Sequence, residues 1–258
     1  MTVGELTATR IIEREARAFS KLWRGSVFSS VMMPVLYLGA MGLGLGGLVN
    51  ARHGQVSGTS YLQFVAPGLL AAGTSMSAAG EAMWPVMGGF KWMRHFHAIA
   101  AAVPSPADIY DGIVAWRGCL VAMSATVFLI VAAALGGVPS AWGVLALPAA
   151  ILGALAITAP LAAFVATRES DMSFIIIFRL AVFPLFLFSG TFFPTALLPG
   201  SIRWAVVISP LWHTAELCRH ATTGRGTWVD VIHVVVLGSC IVIGRWWGHR
   251  TFAARLAP

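Results

Sequence analysis

With 258 residues, 58% of them apolar and only 10% charged, the chain lies far outside the composition of a water-soluble domain. At about 20 apolar residues per helical span, six spans would take roughly half of it, leaving room for one membrane domain and none for a separate catalytic one. The formal charge of +7, from 15 Arg and 2 Lys against 10 acids, is in that setting an orientation signal rather than a nucleic-acid footprint.

The first 17 residues, MTVGELTATRIIEREAR, mix acids and bases and lack the apolar run of a cleavable signal peptide. Insertion is therefore expected to start with the first span. Residues 5–23 predict an amphipathic helix. At about 100° per residue, Ala8, Ile12, Ala16, Phe19 and Trp23 gather on one side and Arg10, Arg14, Arg17 and Lys21 on the other, as a helix lying in the headgroup boundary requires. A helix packed on a partner protein would show the same separation.

Six apolar stretches follow, at 26–48, 61–85, 106–135, 141–166, 172–191 and 228–247. They predict an all-α integral membrane protein of six transmembrane helices. Pro34, Pro67, Pro148, Pro160 and Pro184 fall inside them and are tolerable where neighbouring helices re-satisfy the freed backbone. The glycines at 39, 42, 44, 46 and 47 permit either close helix approach or a loosened helix end. With the amino terminus inside, the cytosolic segments carry eleven Lys and Arg and the outer ones four (Arg52, Arg203, Arg219, Arg225), which favours both termini in the cytosol.

Two connections are longer than a turn. Residues 90–103 predict a short amphipathic helix, with Trp92, Phe96 and Ile99 on an apolar face and Lys91, Arg94 and His95 on the other, Phe90 falling beside Arg94. Pro104 stops it, and Ser105, Pro106 and Asp108 then supply an N-cap, a first-turn proline and a first-turn acid for the third span. Residues 192–227 are too apolar for a free loop and too interrupted by Pro194, Pro199 and Pro210 to span. Re-entrant or interface-lying helices are expected over 192–222.

Several chemistries lack their residues. A P-loop needs Gly-Lys-Ser/Thr, and the only lysines, Lys21 and Lys91, follow Ser20 and Phe90. ATP-driven work would have to come from another subunit. Cys119, Cys218 and Cys240 show no metal spacing, and His95 and His97 do not share a helical face. Asp111-Gly112-Ile113-Val114-Ala115-Trp116-Arg117 approaches the DGxxAR of lipid-head-group transferases, but its arginine comes one place late and no DxxxD follows. An integral membrane lipid-modifying transferase is the alternative reading. Glu81 and Arg179 sit at matched depths in spans two and five. A lone charge at the bilayer centre costs on the order of 2.5–3.5 kcal/mol, so the two are expected to form a buried pair or to face a wet cavity. The alternative is that Arg179 snorkels to the headgroups and Glu81 faces the cytosol.

Four segments together carry a family resemblance: Phe64-Val65-Ala66-Pro67-Gly68-Leu69; Lys91-Trp92-Met93-Arg94 through Pro104-Ser105-Pro106-Ala107-Asp108-Ile109; Phe188-Ser189-Gly190-Thr191-Phe192-Phe193-Pro194; and Ser209-Pro210-Leu211-Trp212-His213-Thr214-Ala215-Glu216-Leu217-Cys218-Arg219. Over nearly its whole length the chain resembles the type-2 ABC exporter permeases, in the branch of nodulation protein J and related drug-efflux permeases. The resemblance implies one type-2 ABC transmembrane domain over 1–258, with a coupling helix at 90–103 and re-entrant helices before span six. Ala100-Ala101-Ala102-Val103 departs from relatives that carry a leucine-rich or Ala-Thr-Pro sequence there.

The implied partners are a second permease, identical or related, two copies of an ABC ATPase subunit that binds ATP and Mg, and membrane lipids. No cofactor and no nucleic acid is expected on this chain. The implied activity is export of an amphipathic, glycolipid or lipooligosaccharide, or drug substrate across a bacterial plasma membrane. Phe90, Lys91, Arg94 and His95 would engage the ATPase, Phe90 by plugging into it, and Phe192 and Phe193 would form part of an exit gate.

Overall fold

The computed structural model describes residues 3–21, 23–48, 56, 58–102 and 105–257, without the side chains of 3–8, 26–31, 33, 34 and 43. Arg52, Val103 and Pro104, and the side chains of Ala8 and Pro34, lie outside the described residues. Among those described no strand forms. Helix α1 spans Val3–Phe19, and α2 (Trp23–Leu38) runs on through a π-helical stretch, Gly39–Leu45. Helix α3 (Tyr61–Met87) ends in a second π turn, Gly88–Trp92, followed by the short α4, His95–Ala100. Helix α5 covers Pro106–Ala134, and a 3₁₀ turn at Ala141–Leu145 leads into α6, Ala146–Val165. Helices α7 (Met172–Ile177) and α8 (Phe183–Phe188) form one rod through a third π turn, Phe178–Val182. After a 3₁₀ turn at Thr195–Leu197 come α9 (Gly200–Ile208), α10 (Pro210–Thr223) and α11 (Asp230–Leu256).

Among the described residues three helices are long and apolar enough to cross a membrane: Pro106–Ala134, Ala141–Val165 and Asp230–Leu256. At 1.5 Å per residue they measure about 38–44 Å, more than the ~30 Å hydrocarbon core. Helix α3 is as long but less apolar, because Ala71 to Gly80 is mostly Ala, Gly, Ser and Thr and most of the helix is buried against its neighbours. Apolar side chains gain little from helix-helix contact in lipid, so close packing of small residues takes over. Gly244 and Gly248 of α11 show this. A Cβ on Gly244 would lie 2.6 Å from the Pro160 nitrogen and one on Gly248 2.1 Å from the Tyr110 ring, and Tyr110 donates its hydroxyl to the Ala159 carbonyl at 2.9 Å. Three helices are locked there.

Serines set the starts. The Ser60 Oγ accepts from the Gln63 amide and the Gln63 side chain accepts from the Ser60 amide, closing a capping box on α3. Ser105 accepts from the Ala107 amide at 3.2 Å with Pro106 as first residue of α5, and Ser209 does the same for Trp212 ahead of α10.

The structure departs from the sequence reading in phase rather than in helix content. The amino-terminal helix stops at Phe19, and Trp23 opens α2 instead of extending the face over 5–23. Among the described side chains of α1, Ile11 rather than Ile12 is buried, and Phe19 lies edge-on to Trp116 of α5 at 5.9 Å. The single helix expected over 90–103 is broken at Arg94, whose φ of 53° is left-handed. A break there resets the helical angle, so the faces drawn across 90–103 do not hold. Phe90 is accordingly not on a polar face; it is 2% exposed, inside the core. Glu81 does not pair with Arg179. It accepts from Arg117 of α5 at 2.7 Å, while Arg179 is exposed on the π turn of the α7–α8 rod, with no ion pair among the described residues. Matched depth fixes one coordinate only, and the azimuth of that rod turns Arg179 away from α3.

Candidate functional site

Segments far apart in sequence meet at two ends of the bundle, and each meeting point is organised by one arginine. At the first end, Arg219 of α10 donates to Glu216 Oε1 at 2.5 Å and to the Gly190 carbonyl at 2.7 Å, and its guanidinium lies 4.4 Å over the Phe64 ring of α3. Three of the four segments singled out in the sequence are thereby joined. Gly190 is left-handed (φ 84°), which turns the chain so that Thr191 lies directly on α3. A Cβ on Gly68 would come within 2.8 Å of the Thr191 backbone, so glycine is required there too. The Ser189 and Thr191 hydroxyls, both buried, share a hydrogen bond of 3.2 Å.

Beside Arg219 runs a chain of ionisable groups between α10 and α11. His213 and His233 meet Nδ1 to Nδ1 at 2.7 Å, so one ring must donate and the other accept. His220 Nδ1 lies 2.5 Å from Asp230 Oδ1, and the other Asp230 oxygen accepts from the Thr227 amide at 2.9 Å. This pair forms the polar wall of a cleft of about 550 Å³, whose other walls include Trp142, Leu152, Leu217 and Val234. Such a volume suits a drug-sized or lipid-sized apolar group. Phe192 packs edge-on to Phe186 at 5.5 Å and its carbonyl accepts from the Tyr61 hydroxyl at 3.4 Å; Phe193 lies 6.4 Å from Phe188. Both phenylalanines are half-buried at this end.

The second end is an aromatic plug. Phe90 stands against Phe252 at 4.8 Å and Phe96 at 5.0 Å, and Phe252 against Tyr110 at 5.2 Å. Arg255 lies 4.6 Å over Phe90 and donates to the carbonyls of Val165, Ala166 and Arg168, closing the C-terminus of α6. Lys91 donates to the Glu169 carbonyl at 2.7 Å. Exposed at this end are Lys91, Trp92, Met93 (67% exposed) and Arg94, with His97 beyond and Arg168 and Glu169 alongside. His95 is half-buried with its ring 4.5 Å from Phe96. On α1, Arg10, Arg14 and Arg17 are exposed, as is Lys21 in the turn after it, with Arg14 bonded to Glu15 at 2.6 Å.

Between the ends, Asp111 is held by Arg245 through both oxygens, at 2.9 and 2.7 Å, and by His249 at 2.9 Å. A metal-dependent transferase would need this carboxylate free to ligate with Asp108, and here it ties α5 to α11 instead. The Arg219 centre was quoted in sequence only as part of a resemblance. Its signal is the spacing of His213, Glu216 and His220, at i, i+3 and i+7, a polar stripe on an otherwise apolar helix.

Helical throughout its described residues, with helices long and apolar enough to cross a membrane, the chain falls in the class of membrane-embedded proteins. Residues 10–222 match the ABC-2 type transporter family, and the chain is a member of that family. It is similar to nodulation protein J of Rhizobium leguminosarum bv. trifolii, 31% identical over 241 residues covering 93% of this chain and 90% of the relative. The same protein of R. leguminosarum bv. viciae is 28% identical over 94% of this chain and 92% of its own length, and that of Rhizobium meliloti 28% identical over 89% and 80%.

Proposed function

We propose that the chain is the six-span permease subunit of an ATP-driven exporter, acting with two copies of an ABC ATPase subunit that binds ATP and Mg and with a second permease, identical or related. Its substrate is an amphipathic molecule of the glycolipid, lipooligosaccharide or drug class, moved outward across a bacterial plasma membrane. The observation that carries the reading is the junction at Arg219, where three separate segments of the family-matched region close on one another beside a largely apolar cleft. The excess of Lys and Arg in the predicted inner segments supports cytosolic termini, with the plug end inside and the Arg219 end outside. On that orientation the exposed patch of Lys91, Trp92, Met93 and Arg94 faces the ATPase. ATP-driven closure of the ATPase dimer pushes on a densely packed plug and so on α3, α5 and α11 together. Phe192 and Phe193 border the exit, helices 192–222 dip into the outer leaflet, and Arg10, Arg14, Arg17 and Lys21 face lipid phosphates.

The test is co-expression with ABC ATPase subunits from the same genome. Co-purification, and ATP-dependent uptake of a short-chain fluorescent glycolipid or of ethidium into inverted vesicles, are expected. A complex that forms but moves neither probe removes the proposed substrate class, and absence of any complex removes the permease reading. Cysteine placed by Gly224→Cys should react from outside and by Ala253→Cys only from inside; the reverse overturns the orientation.

A further inference from the structure

Arg179 is a cation within an apolar helical rod that makes no ion pair among the described residues. Charged groups on the neighbouring long helices are paired, though partly exposed: Glu81 with Arg117, and Asp111 with Arg245 and His249. Arg179 lies seven residues from the start of the α7–α8 rod and nine from its end, about 10 and 13 Å along the axis. The inner face of the rod is fixed by Trp84, which packs on Phe174 at 6.0 Å and Phe178 at 5.5 Å. Arg179 therefore lies on the opposite, exposed face, among Ile176, Leu180 (75% exposed) and Phe183. A single guanidinium in the middle of an apolar strip is unfavourable against hydrocarbon and requires water or an anion.

The backbone adds a second polar feature at the same place. In the π turn the Phe183 amide bonds to the Phe178 carbonyl, five residues back. Pro184 follows and has no N–H, so at least one of the Arg179 and Leu180 carbonyls lacks its helical donor. An unsatisfied carbonyl is also disfavoured in lipid and tolerated beside a wet path. Donor and acceptor thus occur together at mid-depth on a face that no described part of this chain covers.

We infer that Arg179 lines the translocation path and holds an anionic oxygen group of the amphipathic substrate, a phosphate, sulfate or carboxylate, as it crosses. This rests on the permease reading and narrows its substrate class. Guanidinium suits such groups because it offers paired N–H donors in one plane.

The first arm of the test places cysteines by Arg179→Cys or Val242→Cys in chains whose Cys119, Cys218 and Cys240 are replaced by Ala, each assembled with its ATPase in membranes. Val242 is equally exposed at mid-depth of α11. A hydrophilic anionic thiol reagent should modify position 179 and spare 242, and equal reactivity at the two overturns the path assignment. The second arm measures dodecyl phosphate binding to the purified chain in phosphatidylcholine nanodiscs. Arg179→Met should weaken it about tenfold or more, Arg179→Lys should restore part of it, and dodecyl maltoside binding should not change. Arg179 is exposed, so thermal unfolding of the variants should match the parent. If phosphatidylglycerol in the nanodiscs abolishes the Arg179 dependence while position 179 is protected from the thiol reagent, the anion is annular lipid and the substrate role falls. A chain that assembles with no ATPase sinks the permease reading itself, whereas dodecyl phosphate binding indifferent to Arg179 in an assembling chain sinks this inference alone.

Discussion

Each end of the bundle is closed by an arginine laid over a phenylalanine, Arg219 on Phe64 and Arg255 on Phe90, and the difference lies in what surrounds the two. Arg219 has a carboxylate at 2.5 Å and stands beside a row of histidines, an aspartate and a cleft. Arg255 has mainly backbone carbonyls, with the Glu169 carboxylate at 3.7 Å, and stands behind a solid cluster of rings. The same residue pair is used once in a polar, hollow setting and once in a dense, apolar one. A polar hollow can exchange its partners for a ligand or for water. A packed ring cluster moves only as a body, and that is what a point receiving force from another subunit requires.

The comparison is most exposed at Phe90. If the plug is solid, Phe90→Ala should cost about 3–5 kcal/mol and abolish accumulation of folded chain, while Trp92→Ala, a few ångströms away and exposed, should leave thermal unfolding within about 0.5 kcal/mol of the parent and weaken ATPase association. Equal losses in both would mean that the surface and the plug are not distinct. Next in size is the contrast between the arginines. Arg219→Met leaves the Glu216 carboxylate and the Gly190 carbonyl without a donor and should cost about 2–4 kcal/mol; Arg255→Met frees neutral carbonyls and the exposed Glu169 rather than a half-buried carboxylate and should cost about 1–2 kcal/mol. Thermal unfolding of the two variants in detergent ranks them, and a larger loss at Arg255 would reverse the account.

The smallest effect belongs to pH. Burial, with help from Arg14 and Arg117 and against Glu15, holds the His95 imidazole below its ordinary 6.5. The neutral ring is favoured in the folded chain, so its contribution is complete above pH 6.5 and is lost as pH falls below that toward the folded value. His95→Gln should therefore lose less on going from pH 7.5 to pH 5.5 than the parent does, by on the order of 1 °C in Tm.

Much of this architecture is legible in one dimension. Apolar runs mark helices, and Ser105 with Pro106 marks the start of α5, since those signals act through local backbone chemistry. The angular relations are not legible. Glu81 finds Arg117 rather than Arg179 because a depth argument carries no azimuth. Phe90 is buried because a π turn and a left-handed Arg94 interrupt the helical phase that its placement assumed. The Arg219 centre needs three segments, around Phe64, Gly190 and Arg219, spread over about 155 residues of chain, and a helical wheel of α10 alone shows only its polar stripe.

The three π turns, at Gly39–Leu45, Gly88–Trp92 and Phe178–Val182, have a mechanical consequence. Each winds a spare residue into a rod. Should one tighten to ordinary α geometry, the helix beyond it would screw round by about 100° and advance by about 1.5 Å, with backbone bonds exchanged rather than lost. Two of the three bear on surfaces discussed above, one feeding the patch at Trp92 and one carrying Arg179. A rod with slack built in at those points can re-aim a side chain across a membrane without melting.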